Sequence, residues 1–269
     1  MSECAVAILD LSQKATDRNR RRNTRCHFYW PEHYVHGALP EFVVNFAPLS
    51  FPSRVSFLDI ITDDFEALLD DLAEALVRDG YRILPLHLPS DLTDRLWQEL
   101  QDLPDNELKV AGIGRQDDFQ LNRDIRRDKI HWFTGETATQ KDFLDWMEQL
   151  RAGLNRRLFL GLFDYESHFA SYGPGAFYKK HLDAFKNLSN PLQANRVLST
   201  VLYLNRDWQP GDGGELLLFN DEDTCLLETV TPDYGKLIIF LSERFPHEVA
   251  VARRERQSIA GWFRTQGAL

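Results

Sequence analysis

An α+β domain is predicted, in which supporting N-terminal helices cover one face of a double-stranded β-helix of jelly-roll or cupin-like type. Two observations predict it. From residue 62 to residue 157 apolar side chains recur mostly every three or four positions; beyond Phe159 the chain breaks into short apolar runs punctuated by glycine, proline and aspartate. The order, helices first and strands after, makes the two classes separate layers rather than alternating βα units.

Taken in order, residues 1–54 read as an N-terminal extension that packs on the main domain, residues 55–269, or lies flexibly beside it. Residues 17–25 are arginine-rich and contain no apolar side chain, whereas Phe28, Tyr29, Trp30, Phe42, Val43 and Val44 are apolar enough to dock. His27, His33 and His36 have no acid or cysteine beside them at helical or strand spacing and read as loop histidines. Phe65, Leu68, Leu69, Leu72, Leu76 and Val77 then predict a helix with one buried face, capped by Thr62 and ended by Gly80. Residues 81–86 alternate as a strand, and Ser90 caps a second helix bearing Leu92, Leu96, Trp97 and Leu100, with Pro104 past its end. Residues 110–120 are polar and contain glycine. The charge cluster from Asn122 to Asp128, by charge alone a solvated loop, leads into a strand at Ile130 to Trp132. A third helix, 139–157, carries Phe143, Trp146, Met147, Leu150 and Leu154 as a core stripe. Strands are predicted at 163–172, 176–182, 196–204, 215–219, 224–230, 236–241, 248–252 and 256–264, with Gly213-Gly214 as a turn.

Composition narrows the function. The chain has 269 residues and a formal charge of −10, so it lacks the lysine and arginine surplus that nonspecific nucleic-acid binding needs. No run approaches the roughly 18 apolar residues of a membrane span, and the N-terminus has no hydrophobic signal core, which predicts no membrane partner and a cytoplasmic location. Cys4, Cys26 and Cys225 are scattered and show no CxxC spacing, so neither a disulfide framework nor a structural zinc site is expected.

The chemistry concentrates between Tyr172 and Trp262. In His181-Leu182-Asp183 the imidazole and the carboxylate, two apart on a strand, project to one side and can meet one ion. His247 supplies a third ligand before another strand. Two histidines and a carboxylate with open positions suit non-haem Fe(II) oxygenases. Arg256 follows on the next strand, and its forked guanidinium suits a carboxylate, which suggests a dicarboxylate co-substrate such as 2-oxoglutarate. An HxD triplet alone is weak; the ordered set of four is not. Trp262 shares the parity of Arg256 and faces the same side. Asp164, Glu166 and His168 also share one face of a strand, but lack a partner pattern and read as structural.

These positions resemble the 2-oxoglutarate and Fe(II)-dependent dioxygenases, in the prolyl-4-hydroxylase branch that includes the hypoxia-inducible-factor prolyl hydroxylases and their bacterial relatives. The resemblance covers residues 79–263 and is densest at Ile125 to Trp132; at Tyr172-Gly173-Pro174-Gly175 with Tyr178 and the HxD triplet; at Tyr203-Leu204-Asn205-Arg206-Asp207-Trp208 with Gly213-Gly214; and at Pro246-His247-Glu248-Val249 with Arg256 and Trp262. It implies iron ligation by His181, Asp183 and His247. It also implies a salt bridge from Arg256 to the distal carboxylate of 2-oxoglutarate, a hydrogen bond from Tyr203 to that carboxylate, and Tyr172 near the iron-proximal end of the co-substrate. Trp262 would wall the substrate cavity, and Arg126 and Asp128 would organise the loop at its entrance. Fe(II), 2-oxoglutarate and O2 are the implied cofactors, with ascorbate as reductant. Tyr172 stands one residue closer to His181 than in the animal members, and residues 1–54 and 184–195 have no counterpart.

The implied activity is hydroxylation of a residue, proline foremost, in a protein or peptide, with release of succinate and CO2. Two alternatives stay open: the same chemistry on a free amino acid or small metabolite, and a non-catalytic cupin-like sensor of 2-oxoglutarate or oxygen.

Overall fold

The computed structural model describes residues 57–85, 88–104, 106–112, 122–184 and 195–266. Residues 1–54 with their histidines, the 184–195 insertion save its ends, and most of the 110–120 stretch lie outside the described residues. The elements run α1 (Phe57–Arg78), β1 (Tyr81–Leu84), α2 (Ser90–Asp102), β2 (Lys109–Val110), β3 (Lys129–Trp132), α3 (Ala138–Leu158), β4 (Leu162–Tyr172), β5 (Tyr178–His181), β6 (Asn195–Tyr203), β7 (Leu216–Phe219), β8 (Leu226–Val230), β9 (Leu237–Leu241), β10 (His247–Val249) and β11 (Arg256–Thr265).

The helices bury the stripes that their spacing predicts, except that Val77, at the end of α1, is exposed. Leu69, Leu72, Leu92, Leu96, Phe143, Met147, Leu150 and Leu154 are all buried in one core, each fully buried leucine contributing about 2 kcal/mol. Helices α1 and α3 touch at Gly153, where a Cβ would fall 2.4 Å from a methyl of Leu69. The helix starts differ from expectation. Helix α1 begins at Phe57, which places Thr62 inside it rather than at its cap; Phe57, Leu58 and Ile61 continue the apolar spacing upstream. Helix α2 starts on Ser90 itself, with Pro89 in the cap position, where a fixed φ and a missing N–H carry no penalty. Helix α3 does have a side-chain cap, since Thr137 accepts a hydrogen bond from the Gln140 N–H at 3.0 Å.

Two antiparallel sheets make the β layer, one ordered β1-β9-β6-β11-β4-β3-β2 and a smaller one ordered β5-β10-β7-β8. Strand alternation gives the large sheet two unlike faces. Phe169, Leu198, Leu202, Leu237, Ile239, Ile259 and Phe263 point at the helices and share their core. Ala170, Tyr172, Tyr203, Ile238 and Phe240 point the other way and meet Leu216, Leu218 and Val249 of the small sheet. The architecture is thus the predicted α+β one, a double-stranded β-helix with helices on one face.

Two strand boundaries move for identifiable reasons. Strand β8 begins at Leu226 rather than 224, because the Asn220 side chain accepts from the N–H groups of Thr224 and Cys225 at 2.8 Å each and holds them in a turn. Strand β5 stops at His181, so Asp183 lies in the bend that follows it.

Candidate metal and co-substrate site

His181 closes β5 and stands opposite His247, the first residue of β10, in the antiparallel register. Asp183 joins them through the bend after β5, not through the strand alternation that the sequence suggests. His181 Nε2 is 3.6 Å from Asp183 Oδ1, and His247 Nε2 is 3.5 Å from Asp183 Oδ2. Ligand atoms of all three lie within 4.8 Å of one another, a separation that one ion can bridge.

Each imidazole is oriented by its other nitrogen. Nδ1 of His181 lies 2.8 Å from the Lys179 carbonyl, and Nδ1 of His247 lies 3.0 Å from the Phe245 carbonyl. A carbonyl only accepts, so Nδ1 carries the proton and the Nε2 lone pair faces the cluster. Ser199 Oγ donates to Asp183 Oδ2 at 2.7 Å and meets Ser242 Oγ at 2.9 Å, both hydroxyls being buried. Burial pushes the His247 pKa down to about 4. Burial also pushes Asp183 up, but the two imidazoles and Arg196 outweigh that and hold it well below the usual carboxylate range. A neutral His247 beside an ionised Asp183 is the protonation state a divalent cation requires.

Arg256 lies on the same face of the large sheet as Ser199, which holds Asp183. Arg256 is 1% exposed, and among the described residues no carboxylate pairs with it. Its Nε donates to the Gly214 carbonyl at 2.9 Å and its Nη1 to Ser258 Oγ at 3.0 Å. The Tyr172 and Tyr203 rings lie 4.8 and 5.1 Å from its guanidinium carbon. The Tyr203 hydroxyl is buried and has no hydrogen-bond partner among the described residues. Burial pushes its pKa up to about 12, against the pull of Arg256, so it keeps its proton and can donate. A buried guanidinium and, 5.1 Å from it, a tyrosine ring whose hydroxyl has no partner among the described residues fit a carboxylate ligand, which would satisfy both. Gly213-Gly214, expected as a plain turn, does more. At Gly214 (φ 67) a Cβ would crowd Arg256 Cδ at 3.1 Å, so this turn shapes the seat of the arginine.

The charge cluster before β3 is only partly the solvated loop that its composition suggests: Arg123, Asp124 and Arg127 are exposed, but Arg126 and Asp128 are not. Asp128 is 0% exposed and takes a two-point ion pair from Arg126, Nε to Oδ1 at 2.7 Å and Nη2 to Oδ2 at 2.6 Å. The Arg126 guanidinium carbon lies 4.4 Å over the Tyr178 ring. Local spacing could not show this, because the burying partners come from β4 and β5. Trp262 is buried on the site face, as its parity predicts. Arg196 stacks on it at 3.5 Å while pairing with Glu166 at 2.9 Å. Glu166 and Asp164 also bind Arg264, and His168 is buried between Trp132 and Trp262, which agrees with their structural reading.

Sequence reasoning passed over Ser199, Ser242, Arg196 and the stacking of Tyr178. Only Ser199 had a usable signal, sharing the strand parity of Tyr203 in β6.

Comparison with known proteins agrees with the geometry. A model of the 2OG-Fe(II) oxygenase superfamily matches residues 167–264. The crystal structure of a Pseudomonas putida prolyl-4-hydroxylase is 40% identical, with TM-score 0.64, the match covering 74% of this chain and 100% of that one. A prolyl hydroxylase in complex with a hypoxia inducible factor oxygen degradation domain peptide fragment, from Trichoplax adhaerens, is 25% identical with TM-score 0.65, covering 76% of this chain and 92% of that one. Human Egl nine homolog 1 is 28% identical over 179 residues, 61% of this chain and 40% of its own length. The chain spans only 28% of the hypoxia-inducible factor prolyl hydroxylase of Caenorhabditis elegans, at 27% identity over 71% of this chain. A His-Asp-His cluster between two β-helical sheets, a buried arginine on the same face with no carboxylate partner among the described residues, and a 40% identical relative matched along its whole length lead to one conclusion: the chain belongs to the 2OG-Fe(II) oxygenases and is prolyl hydroxylase-like.

Proposed function

We propose that the chain hydroxylates a residue, proline foremost, within a protein or peptide, and releases succinate and CO2. The observation that carries the co-substrate half is the buried Arg256 with the orphaned Tyr203 hydroxyl on the same sheet face as the triad. His181 and His247 would hold Fe(II) through Nε2, with Asp183 as the third ligand kept in orientation by Ser199. Fe(II) with 2-oxoglutarate and O2 supplies the oxidative decarboxylation that drives C–H hydroxylation. Arg256 and Tyr203 anchor the distal carboxylate, Tyr172 packs along the bound co-substrate, and Trp262 walls the substrate space and excludes water.

The substrate half is supported by the likeness to the Pseudomonas putida prolyl-4-hydroxylase, and by the charge state of the rim. A free amino acid brings a carboxylate that needs an uncommitted cation. Arg126 is paired with Asp128 and Arg196 with Glu166, so neither of these guanidiniums is offered to such a carboxylate, which favours an internal residue.

The test is incubation with Fe(II), 2-oxoglutarate and a panel of proline-containing peptides under air, reading succinate and a one-oxygen mass gain. Both are expected with the wild type. His181→Ala should abolish succinate, and Arg256→Gln should raise the KM for 2-oxoglutarate by roughly 10- to 100-fold, the worth of a charged hydrogen bond. Undiminished succinate from His181→Ala would refute the triad. Succinate stimulated by free proline and by no peptide would move the assignment to a small-molecule substrate.

A further inference from the structure

We infer that Tyr178 is a positioning residue that makes metal binding at the triad and docking of the 122–128 segment a single coupled equilibrium. The inference rests on the triad reading above and extends it to a residue that touches neither metal nor co-substrate.

The Tyr178 ring lies face to face with the His181 imidazole, centroids 3.6 Å apart and planes at 17°. Arg126 lies over the same tyrosine ring at 4.4 Å. The backbone reinforces the side chains. Lys179 N–H donates to the Ile125 carbonyl at 2.8 Å and Arg127 N–H donates to the Phe177 carbonyl at 3.0 Å, flanking a bridge between Arg126 and Tyr178. The guanidinium that stacks on Tyr178 is clamped to the buried Asp128, and its Nη1 donates to the Gly112 carbonyl at 3.3 Å.

His181 therefore has two constraints on its orientation, the Nδ1 contact with Lys179 O and the stack on Tyr178. Both are built on β5, and β5 is held in turn by the 122–128 segment. A metal that fixes the imidazole fixes the ring beneath it and the segment beyond; a docked segment holds the imidazole ready for metal. By linkage the two effects are equal in size. Supporting groups of this kind change metal affinity by about 10- to 100-fold.

The experiment uses the full-length protein stripped of metal. Affinity for Mn(II) alone is measured by titration, and hydrogen exchange at the amides of Arg127 and Lys179 is followed with and without Mn(II). Wild type, Tyr178→Phe and Tyr178→Leu are compared, the leucine variant keeping an apolar filler in case smaller side chains collapse the site. In the wild type, Mn(II) should slow exchange at both amides. Tyr178→Phe should behave alike, because the ring and not the hydroxyl makes the stack. Tyr178→Leu should bind Mn(II) about 10- to 100-fold more weakly and show little metal-dependent protection. A wild type that binds Mn(II), with Tyr178→Leu equal to it in affinity or in protection, overturns this inference and leaves the triad standing. A wild type that takes up no ion overturns both.

Discussion

Tyr203 illustrates how a binding role can run against stability. Its hydroxyl is buried without a partner among the described residues, and a buried donor that finds no acceptor costs about 1–3 kcal/mol. Tyr203→Phe should therefore leave the ligand-free protein as stable as the wild type or raise its stability by about 1 kcal/mol, while the KM for 2-oxoglutarate rises. Chemical denaturation of the apo protein and steady-state kinetics test the two halves separately. A loss of stability beyond about 1 kcal/mol in the apo protein would mean that the hydroxyl serves the fold. Individual residues were also the most legible feature of the chain. His181, His247, Arg256 and Trp262 could be named because the order and parity of residues on short strands restrict which of them share a face; Asp183 was named on the same ground, but it reaches the cluster from the bend after β5. By charge alone the cluster from Asn122 to Asp128 reads as a solvated loop, yet Asp128 is fully buried. Nothing in the local sequence announces that distant elements will cover Arg126 and Asp128.

Among the elements, the turn before β7 bears directly on the arginine seat. Gly214 has φ 67 and would crowd the Arg256 side chain if it carried a Cβ, while Trp208 Nε1 donates to the Gly213 carbonyl at 3.2 Å and pins the turn. Gly214→Ala is expected to destabilise the fold by about 1–3 kcal/mol, the penalty of a non-glycine residue held in that backbone region. It should also weaken 2-oxoglutarate binding, because Arg256 Nε is held by the carbonyl of this residue. Thermal unfolding with and without 2-oxoglutarate, in the presence of Mn(II), reads both. An alanine variant with unchanged co-substrate stabilisation would detach the turn from the pocket. Helices and strands were recognisable from period alone, yet their ends were not. The Asn220 turn delayed β8, since backbone hydrogen bonds made by a side chain override a local apolar pattern, and Asp183 fell in the bend after β5.

For the molecule as a whole, the aromatic edge of the site should make stability depend on pH. His168 is buried between two tryptophans, and burial, with Arg126 nearby, pushes its pKa down to about 4. The unfolded chain binds a proton at this histidine near pH 6.5, the folded one near 4. Stability from this residue is thus fully present above pH 6.5 and drains away as pH falls towards 4, by at most about 3 kcal/mol. His168→Met should reduce the stability difference between pH 7 and pH 5, measured by urea denaturation of the metal-free protein. An unchanged difference would show that His168 is not held neutral by the fold. Period and composition also foretold the overall architecture, one helical layer against two sheets, because burying one face of every element leaves few packings.

Periodicity, punctuation and the order of a few ligating residues thus carried the class of fold, the three metal ligands and the arginine that follows them. These are local or one-dimensional properties of a chain: which side chains alternate, and which chemistry follows which. Folding alone settled the rest. The opposition of His181 and His247 across two strands, the Ser199 hydroxyl on Asp183, the Arg196 guanidinium flat on Trp262 and the Arg126–Tyr178–His181 stack all join residues remote in sequence. Register between non-adjacent strands and the desolvation of charged groups depend on what packs against them, and no single stretch of chain contains that information.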